Sequence, residues 1–213
     1  MATERIEFVN QRGDNLAAML ETPEEGSPKI YAVFAHCFTC SKDYKATYRI
    51  SRTLSRHGIA VLRFDFTGLG DSGGDFADTD FSSNVMDVAA AAEWLRTNAE
   101  APVLLAGHSL GGAAVLQAAS KIEEVKGVAV IAAPAETGHL AGILKKRWEE
   151  ADEGGYGEVN IGGRTFRVGR QLLEDLESTN MRRTISALKR DLMILHSPND
   201  QTVRMENAYE ILE

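Results

Sequence analysis

Apolar residues recur along this chain in two alternating rhythms. Continuous or period-two apolar runs, which predict strands, occur at 5–10, 15–21, 29–36, 59–66, 101–107, 125–133 and 191–197. The first two, RIEFVN and NLAAMLE, are separated by the turn-like QRGD and predict a strand pair. The later runs are apolar on both faces, as a sheet covered on both sides requires. Between them lie stretches with helical spacing. The clearest places Phe81, Val85, Val88, Ala92 and Leu95 on one stripe, predicting a helix from about 81 to 96 with Asp80 as its N-cap. Strands alternating with helices through right-handed crossovers predict an α/β fold, a doubly wound, mostly parallel sheet with helices on both faces. The loops after residues 36, 66, 107, 133 and 197 should then gather at the carboxyl edge of the sheet, where such folds bind ligands.

Residues 135–180 break the rhythm. HLAGILKKRWEE predicts a helix, EVNIGGRTFRVG a hairpin turning on Gly162-Gly163, and RQLLEDLES a second helix. Lying between two sheet strands, this insertion should form a small lid over the ligand edge, with Leu144 and Trp148 as candidate lining residues. No internal repeat, low-complexity stretch or linker interrupts the sequence, so residues 1–213 are expected to form one domain.

Composition narrows the function classes. Apolar residues make up 44% of the 213 and charged residues 25%, close to a soluble globular average, so a core can form without a staple. The net charge of −8 argues against nucleic acid or an anionic membrane surface as partner. No run of eighteen apolar residues occurs, and MATERIEF lacks the apolar segment of a secretory signal; the expected location is the cytoplasm.

The strongest chemical signal is Gly107-His108-Ser109-Leu110-Gly111, a G-x-S-x-G placed directly after an apolar strand and directly before an Ala-rich helix. In that context a sharp strand-to-helix turn holds the serine exposed above the sheet as a nucleophile. A serine attacking an acyl carbon needs backbone donors for the tetrahedral oxyanion. One should be the Leu110 N–H, at the positive end of the following helix. The second should come from the loop after the third strand and is assigned to the Phe38 N–H.

That assignment bears on Cys37 and Cys40, the only two cysteines. A C-x-x-C can be half of a zinc site, but His36 is the one further ligand type nearby and structural zinc needs four. The better-placed reading has the cysteines line the oxyanion loop; a thiol redox role remains open beside it. A second decoy is Gly68-Leu69-Gly70-Asp71-Ser72-Gly73, a literal G-x-G-x-x-G after a strand. A dinucleotide site would need a helix to open at the third glycine. The sequence continues instead as GDFADTD, giving with Asp71 four aspartates where a phosphate would sit.

The segments HCFTCSKD, RFDFTGLGDSGGDF, GHSLGGAA, GRTFRVGRQLLEDL and HSPNDQTV resemble those of α/β-hydrolases. Over its whole length the chain is similar to the hydrolase half of bacterial proteins that join such a domain to an OsmC-like thiol peroxidase domain. Where α/β-hydrolases generally carry glycine at the second oxyanion-loop position, this chain has Cys37. The resemblance implies Asp200, in HSPNDQTV, as the acid of a triad ordered serine, acid, histidine. The histidine would follow a further strand and loop, so the chain is expected to lack its base, as a fragment of a longer parent would. A missing last strand should also leave an apolar sheet edge and a tendency to associate, possible homo-oligomers included. Of the five histidines, His57 and His196 lie at element ends, and His108 lies inside the elbow and is expected to turn away from the serine. His36 and His139 fall nearer the site without matching the triad pattern.

The first expectation is therefore a serine hydrolase of small acyl esters, without metal or organic cofactor. Ser109 would be the nucleophile, Asp200 the acid, Phe38 and Leu110 the oxyanion hole, and His36, Cys37 and His108 the supporting residues. The alternatives are a hydrolase-shaped binding module and a thiol redox protein acting through Cys37 and Cys40.

Overall fold

The computed structural model describes residues 2–148, 154–161 and 163–213. Seven strands form the main sheet: β1 (Ala2–Val9), β2 (Asn15–Thr22), β3 (Ile30–Ala35), β4 (Ile59–Phe64), β5 (Leu104–His108), β6 (Gly127–Ile131) and β9 (Asp191–Leu195). Their spatial order is β1-β2-β4-β3-β5-β6-β9. β1 and β2 are antiparallel additions, and β4, β3, β5, β6 and β9 run parallel. A separate antiparallel hairpin pairs β7 (Tyr156–Ile161) with β8 (Arg164–Gly169). The turn expected at Gly162-Gly163 includes Gly162, which lies outside the described residues, as do Glu149 and Glu150 of the expected lid helix.

Side-chain alternation along the central strands explains the two helical layers. Val33, Ala35, Leu62, Phe64 and Leu105 point into the larger core with α2 (Phe81–Asn98) and α3 (Leu110–Ala118). Ala32, Phe34, Val61 and Ala106 point the other way, against Ile50 and Leu54 of α1 (Lys45–Arg56). The stripe read from the sequence is the buried face of α2: Phe81, Val85, Val88, Ala92 and Leu95 are all fully buried. Full burial is worth about 1.5–3 kcal/mol for each of the larger side chains. Asp80 caps the helix reciprocally, accepting from the Ser83 N–H at 2.6 Å while the Ser83 hydroxyl accepts from the Asp80 N–H at 2.9 Å.

One strand read as purely apolar is not. β4 and the residue after it bury Arg63 and Asp65. Arg63 donates to Glu21 at 3.0 Å, to Asp43 at 2.7 Å and to the Lys42 carbonyl at 2.9 Å. Asp65 receives the Lys42 ammonium at 2.8 Å and the Asp71 N–H at 2.9 Å. Burial alone would lower the Lys42 pKa; its hydrogen bonds to Asp65 and Asp71 outweigh that and raise it, so the ammonium stays charged. Buried charges persist only when paired in this way, and here the pairing holds residues 42 and 43 against the turn after β4. That turn is followed by a short 3-10 turn, Phe76–Asp78, instead of the helix that a dinucleotide site requires.

Between β6 and β9 run α4 (Gly138–Arg147), the β7–β8 hairpin, α5 (Arg170–Ser178) and α6 (Met181–Ser186). Leu144, Val159, Phe166, Val168, Leu172 and Leu176 of this stretch join the main core. α7 (Glu206–Leu212) follows β9 and buries Ala208 and Ile211. Among the described residues β9 is the edge strand, with Met193 and Leu195 60% and 47% exposed. Among the described residues no helix is long and apolar enough to cross a membrane.

Candidate active site

Ser109 sits where β5 hands over to α3, with φ of 54° and ψ of −123°. A serine in the left-handed region is uncommon and costs of order 1–3 kcal/mol, so the surrounding backbone has to impose it. The flanking glycines explain how. A Cβ on Gly107 would collide with the Gly111 carbonyl, and one on Gly111 with the carbonyls of Ala35 and His36. Without those side chains, α3 can start tight against β3 and β5. The Ser109 N–H then donates to the Ile131 carbonyl at 2.9 Å, and the Ser109 carbonyl accepts from Gly112 and Ala113 at 2.8 and 3.2 Å.

The loop after β3 runs beside this elbow. Cys37 and Cys40 are joined as a disulfide, with Cα atoms 5.3 Å apart. They close a four-residue turn in which the Cys40 N–H donates to the Cys37 carbonyl at 3.1 Å and Thr39 takes φ of 60°. The Phe38 ring packs on Phe76, and Phe76 on Phe166 of β8, each with centroids 5.6 Å apart. His36 is fully buried behind the loop. Its Nδ1 pairs with the Cys37 carbonyl at 2.8 Å and its Nε2 with the Phe66 N–H at 3.3 Å. Nε2 thus accepts and Nδ1 donates, which is the neutral tautomer. Burial pushes its pKa down, with the Cys37 hydrogen bond and the Asp65 charge opposing. With both nitrogens engaged, His36 supports the loop and is not placed to act as a base, although its sequence position had put it near the site.

Asp200 lies in the loop after β9. Its Oδ1 accepts the N–H groups of Thr202 and Val203, both at 2.9 Å. His196 Nε2 donates to the Val203 carbonyl at 2.7 Å and clamps the two ends of that loop. The Asn207 side chain ties α7 to the loop after β6 by accepting the Ala135 N–H at 2.9 Å.

These three loops enclose a cavity of about 590 Å³. Six of the seven residues singled out from the sequence line it: Cys37, Phe38, His108, Ser109, Leu110 and Asp200. The seventh, His36, is sealed behind it. His108, expected to turn away from the serine, lines the cavity too. Burial lowers its pKa while the charge of Asp200 pulls it back up. Leu144 lines the cavity with Leu140, Ile143 and His139 of α4 and Ile161 of β7. Trp148 does not; it lies against Gly157, where any Cβ would strike the indole. Sequence reasoning passed over Asn207 and Ile143, and it placed His196 at an element end without its contact. A histidine closing an apolar run and an asparagine in a helical one carry no local signal of the contacts they make.

The sequence profile of the alpha/beta hydrolase family matches residues 32–206. The chain belongs to the alpha/beta hydrolase family. Within it the chain is esterase-like: the esterase domain from a Rhodothermus marinus protein is 45% identical, with a TM-score of 0.79, covering 99% of this chain and 82% of that one. A ferulic acid complex of Est1E from Butyrivibrio proteoclasticus is 21% identical, with a TM-score of 0.83 and coverage of 97% and 84%. Alpha/beta hydrolase domain-containing protein 10 from mouse is 19% identical, with a TM-score of 0.73 and coverage of 98% and 83%. The last two likenesses speak for the hydrolase fold alone. No curated protein matches the sequence.

Proposed function

We propose that this alpha/beta hydrolase is a serine hydrolase of small, uncharged carboxylic esters. The observation that carries the reading is the strained Ser109 at the strand-to-helix turn, opening into the same cavity as Phe38, Leu110 and Asp200. Ser109 Oγ attacks the ester carbonyl, and the N–H groups of Leu110 and Phe38 hold the oxyanion. Each such donor is worth roughly 3–4 kcal/mol of barrier. Asp200 orients and charge-stabilises a histidine that takes the Ser109 proton and passes it to the leaving alcohol. His36, His57 and His196 hydrogen-bond to the backbone carbonyls of Cys37, Thr53 and Val203. Residues 135–180 act as the lid of a single hydrolase domain, with Leu140, Ile143 and Leu144 forming the acyl wall. The loop sequences also favour a parent protein with a fused OsmC-like domain.

The missing hydrogen bond between acid and histidine favours a second reading, a hydrolase-shaped module that binds acyl compounds without turnover. Hydrolysis of p-nitrophenyl butyrate by the 213-residue chain and its Ser109→Ala variant separates the two. Turnover that the variant loses supports the hydrolase, because the background from binding and oxyanion stabilisation survives without the serine and only an activated Ser109 makes the two proteins differ. Identical traces for both proteins support the binding module.

A further inference from the structure

The loop that carries the Phe38 N–H is also the place where the two cysteines meet. We propose that the Cys37–Cys40 disulfide is a reversible redox site that sets the oxyanion hole, so that reduction by a thiol weakens catalysis and reoxidation restores it. The inference rests on the oxyanion role proposed above for Phe38 and adds control of that same site.

Three observations converge on it. First, the disulfide spans residues 37 to 40, so the peptide N–H of Phe38 lies inside the ring that it closes. Second, that turn is not one the local sequence favours. Its third residue is Thr39 at φ of 60°, a conformation that a β-branched residue rarely adopts. One backbone hydrogen bond, from Cys40 N–H to the Cys37 carbonyl, closes the turn besides the disulfide. A cross-link between first and last residues removes the extended alternatives that Thr39 would prefer. Third, neither cysteine is sealed in the core: both are half-buried, and Cys37 lines the Ser109 cavity. An exchanging thiol can approach through the opening that substrate uses, while His36 fixes the Cys37 carbonyl from behind.

The exchange balances without any further reactant. A thiolate attacks one sulfur, forming a mixed disulfide and releasing the other cysteine as thiolate. A second thiolate attacks the external sulfur of the mixed disulfide, giving a small-molecule disulfide and the second cysteine thiolate. The two thiolates take up the protons the attacking thiols lost. The net reaction consumes two thiols and yields two cysteine thiols and one external disulfide. Closure is the reverse, with the external disulfide as oxidant. In the reduced chain Thr39 is free to leave the left-handed region, and the Phe38 N–H moves with it.

The test uses the 213-residue chain equilibrated across ratios of dithiothreitol to its oxidised form. Thiol titration should show two thiols appearing together in a single step. No thiols under full reduction, or two thiols before any reductant is added, overturns the proposal. In parallel, the rate of Ser109 labelling by a neutral fluorophosphonate should fall about tenfold or more on reduction and recover on reoxidation. Equal rates in both states, where labelling depends on Ser109, overturn it. Cys40→Ser should label slowly at every ratio. Thr39→Gly, which removes the conformational strain, should lose most of its sensitivity to reductant; a full tenfold response there overturns the turn-strain mechanism. If Ser109→Ala labels as fast as wild type, the serine reading has failed on its own. The 15N resonance of the Phe38 amide then decides the redox site: a shift on reduction sustains it, and an unmoved resonance removes it.

Discussion

The serine elbow and the acid loop are built by different means, although both face one cavity. The elbow lies in the middle of the sheet, with β5 paired on both sides. Its geometry comes from backbone against backbone: Gly107 and Gly111 leave no room for a Cβ, and the Ser109 N–H is tied to the neighbouring strand. The acid loop hangs from the edge strand β9. It is shaped by side chains, with Asp200 accepting two N–H groups of its own loop and His196 clasping Val203. A centre defined by close packing tolerates almost no change, whereas an edge defined by individual hydrogen bonds loses about 1 kcal/mol for each bond removed.

The largest expected effect is therefore at the centre. Gly111→Ala puts a methyl into the carbonyls of Ala35 and His36 and should cost about 3 kcal/mol, read as a fall in the urea midpoint at unchanged slope. A shift of under half a kcal/mol would mean that the elbow can relax and the contrast is false. At the edge, His196→Ala should cost about 1–2 kcal/mol and leave the Ser109 region intact, which amide exchange can map residue by residue. Protection lost at Leu110–Ala113 would show instead that the two loops are coupled.

The smallest effect is on pH. Burial holds His36 and His108 below the ordinary histidine value of 6.5. Below pH 6.5 the unfolded chain therefore takes up protons that the folded chain refuses. Stability is complete above 6.5 and declines as pH falls from there toward the folded-state values. His36→Gln should start less stable at pH 7.5 and lose less between pH 7 and 5.5 than wild type does. Parallel losses would remove His36 from the account.

The same division explains what the sequence could reveal. The strand runs, the α2 stripe with its Asp80 cap and the G-x-S-x-G elbow are local patterns, and the corresponding elements stand where they were expected. The limits of β5 moved, starting at Leu104 instead of 101, although the Val103 N–H still donates to Tyr31 of β3. α6 spans too few residues for a periodic stripe and escaped notice. Buried Arg63 and Asp65 passed as members of an apolar run, since a period records burial but not the ion pairs that permit it. The Cys37–Cys40 link was visible as spacing only, and the bond itself is a fact of the folded loop.

Three residues other than glycine adopt positive φ among the described residues: Thr39, Ser109 and Ala132. Each stands just past the end of a parallel strand, in or beside the cavity. At a few kcal/mol in all, that places an appreciable part of the molecule's unspent stability around the Ser109 cavity. A directed-evolution campaign selecting for heat resistance alone would find easy gains there, with glycine at 39 or 132 among the first. It would be expected to return sturdier proteins whose cavity has begun to forget its shape.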